Sequence, residues 1–220
     1  MVKKEEKKEG MVRDLIEKKK RGEITSKEAY QEIYRRGLQH GKYSSQITGL
    51  VMLVGGILCF ITLIAKITDL PMLEPLTQLP AISFPPIIRY SAVVFILLSV
   101  IVMFHTTFLR AKKGGCGWKG ESETIMLVTD GAYGVVRHPA HLCFGVILLS
   151  FTLILSEGVP FTILPVIGNI LFFAASYYSG IEEEELNTLK WGDEYRQYMK
   201  EVPRFNFILG IWRWTKRKRK

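Results

Sequence analysis

Long apolar blocks, kept apart from blocks of charge, limit most strongly what this chain can become. In a water-soluble domain apolar residues recur at helix or strand period among polar ones. Here they run together, and nearly half of the 220 residues (48%) are hydrophobic. That segregation excludes an ordinary cytosolic globule. Three cysteines are too few to staple a secreted disulfide scaffold. The formal net charge is +9, from 30 basic and 21 acidic residues. The excess does not make the chain a soluble nucleic-acid binder, because so much of it needs a dry environment.

A transmembrane helix requires about 20 mostly apolar residues. Four blocks are expected to span: Gln46 to Ala65, Tyr90 to Leu109, Ala140 to Leu155 (somewhat short) and Val159 to Tyr178. Each must be helical, since lipid offers no partner to an open backbone group. Only Ser156, Glu157 and Gly158 separate the last two blocks, which reads as a tight helical hairpin. The first apolar block starts at Gln46, so no cleavable signal is expected.

Lysine and arginine orient the chain. Residues 1–45 carry thirteen, 110–139 five and 179–220 ten, whereas 67–89 carries only Arg89 and 156–158 none. Positive segments stay in the cytoplasm. The expectation is an all-α, multi-pass transmembrane helical bundle with both termini and the 110–139 loop cytosolic. It divides into a charged helical arm (1–45), a four-span region (46–178) and a C-terminal helical segment with a basic tail (179–220).

The arm reads as two short amphipathic helices, Met11 to Lys20 and a second capped by Thr25 or Ser26 and running through Leu38. Ile24, Ala29, Ile33 and Leu38 give the second only a thin apolar stripe, so a solvated basic arm is favoured over a docking hairpin. At the other end, Trp212 and Trp214 suit a membrane interface, and Lys216 to Lys220 suit anionic lipid headgroups.

Residues 115–120 match G-x-G-x-x-G literally, but they follow a membrane helix and not a strand, which removes the dinucleotide reading. A flexible loop holding a free Cys116 is expected instead. Cys59 and Cys143 read as packing residues within spans, and His105 as a structural histidine near the end of span two. Four histidines and three cysteines show no ligand spacing, so no metal is expected.

Two stretches carry chemistry. In the first, Arg137 and His138 stand just ahead of Pro139, which suits the first turn of span three. Free backbone N–H groups, the positive end of the helix dipole and a guanidinium would converge there as an anion site. The second is Glu182 to Glu185, just past span four, with no lysine or arginine four residues after any of them. The hairpin would bring both stretches to one membrane face, an anion receptor beside a cation receptor.

Together these stretches resemble the superfamily of isoprenylcysteine carboxyl methyltransferases and phospholipid methyltransferases. Its first signature is similar to Thr129, Gly131, Tyr133, Val136, Arg137, His138 and Pro139. Its second is similar to a glutamate pair followed by Trp191-Gly192, Tyr195, Tyr198 and Val202-Pro203-Arg204-Phe205. The resemblance covers about residues 88–207. The chain departs from it at Ala132, His141 and Cys143, where the family has Pro, Tyr and Gly. Spacing back from Gly192 selects Glu183 and Glu184 as the pair.

The resemblance implies an S-adenosylmethionine-dependent membrane methyltransferase acting on a lipid-like acceptor, either a prenylcysteine carboxylate or a phospholipid amine headgroup. Arg137 and His138 would face the cofactor's carboxylate, and Glu183 and Glu184 its ammonium. Tyr133, Tyr195 and Tyr198 would line the adenosine pocket or orient these groups, and Arg204 would meet the acceptor's charged group. The assignment makes Tyr133, Arg137, His138, Pro139, Glu183 and Glu184 cofactor-binding, with Arg204 and Tyr198 catalytic. The alternatives are an NADPH-dependent lipid or sterol-type reductase and a non-catalytic membrane adaptor.

Overall fold

In a computed structural model of the protein, residues 14–19, 21–35, 42–68, 70–113 and 126–219 are described. All their regular structure is helical. Residues 14–19 form a short helix, followed by α1 (Ser26–Arg35), α2 (Lys42–Thr68), α3 (Pro86–Lys113), α4 (Pro139–Leu155), α5 (Ile163–Glu201) and α6 (Phe207–Lys218). Single turns lie at Glu74–Thr77 and, as a 3-10 helix, at Gly131–Gly134. The G-x-G-x-x-G stretch, Cys116 and Leu38 fall outside the described residues.

Three helical stretches are long and apolar enough to cross a membrane: Gln46–Thr68, Pro86–Lys113 and Ile163–Thr188. The third expected block, α4, has 17 residues. At 1.5 Å per residue it reaches about 25 Å, short of a hydrocarbon core of about 30 Å. The fourth begins at Ile163, later than the expected Val159. Residues 156–159 close as turns, with Gly158 N–H donating to the Leu155 carbonyl at 3.0 Å. The Thr162 hydroxyl then accepts from Leu164 N–H at 3.3 Å, at the start of α5. The element also runs beyond Tyr178 to Glu201, with one non-helical residue, Gly192 (φ 53°, ψ −127°). That conformation is open to glycine and strained for any side chain.

The chain forms two compact units. One comprises residues 43–102 and 140–179. Its helices meet through small and weakly polar residues, as expected where lipid removes the hydrophobic drive between helices. A Cβ at Gly168 would lie 2.5 Å from the Gly55 carbonyl oxygen and 2.8 Å from Cys59 Sγ. Asn169 donates to the Pro165 carbonyl at 2.8 Å and to the Thr152 hydroxyl at 3.4 Å. Cys59 and Cys143 are free and buried, consistent with packing roles. Near the helix ends, the rings of Phe84 and Phe161 meet edge to face at 4.9 Å. Large apolar side chains such as Leu53, Ile57, Phe95 and Leu98 point outward, an arrangement stable only against an apolar solvent.

The second unit draws on residues 1–42, 103–139 and 180–220. Its core joins Leu15, Ile16 and Ala29 to Trp191, Tyr195, Tyr198 and Val202, with Ile24, Met126, Leu127 and Met199 around them. The expected solvated arm is thus corrected: Leu15, Ile16 and Ala29 are buried on faces that an aromatic helix segment covers. Thr25 caps α1 in a reciprocal box. Its hydroxyl accepts from Glu28 N–H at 3.2 Å, and Glu28 Oε2 accepts from Thr25 N–H at 2.7 Å.

Close contact at Gly168 has a measurable consequence. Gly168→Val should lower stability by about 1–3 kcal/mol through overpacking. Gly56→Val, where a Cβ meets nothing within 4 Å, should stay close to neutral. Thermal unfolding in detergent would compare the two.

Candidate functional site

The site is built by two chain segments held backbone to backbone. In the first, Gly131 adopts φ 57°, and a Cβ there would lie 2.4 Å from His105 Nε2, so the turn fits over this histidine only as glycine. Asp130 pairs with Lys113. The 3-10 turn then delivers Val136 to a buried position and leads to Arg137 and His138. The second segment is the turn after α5. Arg137 N–H donates to the Pro203 carbonyl at 3.0 Å, and His138 N–H to the Arg204 carbonyl at 3.4 Å. The two N–H groups are already committed to protein carbonyls and are not open to an anion.

Side chains then converge on one carboxylate. Glu184 Oε1 and Oε2 accept from Arg204 Nε at 2.7 Å and Nη2 at 2.6 Å, a bidentate clamp. Arg137 Nε lies 3.2 Å from Glu184 Oε1, and His138 Nε2 lies 3.1 Å from the same oxygen. The other imidazole nitrogen, Nδ1, faces Glu183 Oε2 at 3.0 Å. His138 and Glu184 side chains are only 3% and 7% exposed, whereas Glu183 is 32% exposed. The ring of Phe205 lies beside His138 with centroids 5.7 Å apart. Gly180 leaves the room, since its Cβ would stand 3.3 Å from His138 Cδ2.

A neutral imidazole has a single N–H and cannot donate to two carboxylates at once. Burial disfavours the charged ring, but the hydrogen bonds and charges of Glu183 and Glu184 outweigh it and raise the His138 pKa above 6.5. Arg137 differs from Arg204 in how it is satisfied. Its Nη1 makes one long bond to the Met199 carbonyl (3.3 Å), and its Nε is buried without a hydrogen-bond acceptor despite the nearby carboxylate.

Tyr198 donates its hydroxyl to the Tyr133 carbonyl at 2.7 Å. Burial pushes its phenol well above the ordinary tyrosine value, so it serves as a donor and not as a base near neutrality. Burial likewise pushes Tyr195 up to about 12. Its hydroxyl accepts from Asn187 Nδ2 at 3.4 Å. Pro139 opens α4 as expected and is fully buried. The structure therefore brings Arg137, His138, Glu183, Glu184 and Arg204 into one cluster, with Tyr133 and Tyr198 joined through a main-chain bond.

A groove of about 390 Å³ lies in the same unit. Of the expected site residues, only Tyr198 lines it. Its other walls include Thr129, Glu194, Glu201, Trp214 and Arg217. Arg217 escaped the sequence reading, which treated the tail as a lipid anchor. It donates to the Gly134 carbonyl at 2.5 Å and pairs with Glu201 at 3.4 Å. The available signal was Gly210, one turn before Trp214 and out of place in an otherwise bulky helix. No family model, curated protein or solved structure matches the chain.

Two outcomes follow from the cluster. Glu184→Ala strands two guanidiniums and should destabilise by about 3–5 kcal/mol, while Glu185→Ala, at an exposed position, should stay within about 0.5 kcal/mol. Denaturation in detergent would measure both. For His138, a raised folded pKa means that its charge contributes fully below the unfolded value of 6.5 and is lost as pH rises through the folded value. The stability gap between wild type and His138→Gln should therefore be widest in mild acid and narrow on the alkaline side.

Proposed function

We propose that the protein is an integral membrane methyltransferase that uses S-adenosylmethionine on a lipid-like acceptor. The observation that carries this reading is the buried Arg137 guanidinium, whose Nε is ion-paired with Glu184 but makes no hydrogen bond, in one cluster with a partly exposed Glu183. A donor without a hydrogen bond on a buried guanidinium suits a carboxylate, and an accessible carboxylate suits an ammonium. The amino-acid head of this cofactor presents both. When bound, the cofactor supplies an activated methyl on its sulfonium.

The protein's part is holding and orienting. Arg137 would take the carboxylate, with His138 keeping positive charge beside it, and Glu183 would take the ammonium. Glu184 holds Arg137, His138 and Arg204 in place, a positioning role. Arg204 was expected to meet the acceptor's charge, but its fork lies on Glu184. It reaches an acceptor only if that clamp loosens. Tyr133 and Tyr198 fix the wall beside the first segment, and Pro139 sets its end. Alignment and exclusion of water supply the rate.

Membrane topology supports the same reading. Arm residues 15, 16 and 29 share a core with 191–202, and Arg137 meets Pro203. Their shared core supports reading the segments before α2, after α3 and after the apolar part of α5 as lying on one side of a bilayer, which would require an even number of crossings. Short α4 counts as the fourth, thinning the bilayer locally or snorkelling at its ends. The lysine and arginine distribution assigns that side to the cytosol.

Calorimetry in detergent tests the reading directly. S-adenosylmethionine should bind, and Arg137→Lys, which keeps the charge but loses the fork, should weaken binding by about 10- to 100-fold. Labelled methyl should also enter a lipid-extractable product. An absence of cofactor binding by the folded wild-type protein would end this assignment.

A further inference from the structure

Helix α6 has two unlike faces, and only one is satisfied. Asn206 caps it, accepting from Leu209 N–H at 3.0 Å. The inner face is fully engaged. A Cβ at Gly210 would lie 2.0 Å from the Val135 carbonyl oxygen, and one at Gly134 would lie 3.2 Å from the Trp214 ring. Arg213 donates to the Lys200 carbonyl at 3.1 Å. The outer face presents Phe207, Ile208, Ile211 and Trp212, all at least half exposed, with Ile208 at 70%. Their spacing places them on one stripe. Lysines border it: Lys216 Nζ lies 3.8 Å above the Trp212 ring, and Lys218 Nζ lies 4.2 Å above Trp214.

We infer that α6 lies in the plane of an anionic membrane surface, with Phe207, Ile208, Ile211 and Trp212 sunk into the headgroup boundary and the lysines snorkelling beside them. Twelve residues reach about 18 Å, too short to cross a bilayer but enough to lie along it. Residues 206–220 contain six basic side chains and no acid. An anionic leaflet complements that charge. A second copy of the same face would bring two acid-free cationic strips together, so a bilayer is the occupant the charges select. The sequence alone grouped Trp212 with Trp214 as anchors. The structure separates them, with Trp214 turned inward on Gly134 and Trp212 outward. This inference does not depend on the methyltransferase reading.

The test uses the full chain in nanodiscs. Ile208→Cys, in a Cys116→Ser background, carries a polarity-sensitive fluorophore, and Gln31→Cys carries it as an aqueous control. In discs of phosphatidylcholine with phosphatidylglycerol, the label at 208 should emit to the blue, be quenched by brominated acyl chains and be shielded from iodide. The control should behave oppositely. Raised salt, or Lys216→Gln with Lys218→Gln, should weaken the lipid signal by about tenfold or more. A label at 208 that stays open to iodide in every lipid overturns the inference. So does shielding that requires two protein copies per disc, read as label self-quenching.

Discussion

One carboxylate, that of Glu184, fixes the geometry on which the rest of the charged unit depends. Three cationic side chains meet it from two chain segments, and a second acid, Glu183, balances the far side of the imidazole. Buried charges are costly unless each meets a partner. The cost makes the arrangement exclusive, since rotating any member out leaves a charge without compensation in a dry place. The two segments are also tied by main-chain bonds from residues 137 and 138 to 203 and 204. Side-chain charge and backbone pairing thus select the same register.

The other unit works on different physics. Lipid cannot drive apolar helices together, so close packing at glycine and hydrogen bonds from Asn169 supply the cohesion. One chain therefore uses charge neutralisation where water must be kept out of a polar cluster, and steric fit where there is no water to exclude. Neither strategy would serve in the other's place.

Much of this was legible in the sequence, for identifiable reasons. The apolar blocks located α2 to α5, because the demand for backbone hydrogen bonds in lipid leaves only helices. The juxtaposition of Arg137 and His138 with Glu183 and Glu184 followed from the short turn at 156–158. Other features were hidden. Whether Arg204 would reach Glu184, 20 residues earlier, depends on the break at Gly192 and the turn at 202–206, neither of which has a readable period. The burial of Leu15, Ile16 and Ala29 was obscured by the lysines around them, since a thin stripe looks solvated until its partner surface is known. The loss of the Arg137 and His138 N–H groups to main-chain carbonyls was equally invisible, because irregular backbone pairing leaves no pattern in side-chain order.

The composite make-up of the charged unit also governs how the protein is born. Its core joins Leu15, Ile16 and Ala29 to Trp191, Tyr195, Tyr198 and Val202, more than 160 residues later in the chain. During synthesis the arm leaves the ribosome before the apolar helices and finds none of its aromatic partners, which emerge only after them. The hydrophobic spans are delivered to the bilayer in the interval. Contacts between such distant parts form slowly, so a nascent chain must wait with Leu15 and Ile16 uncovered, and a prematurely terminated one never closes this core at all.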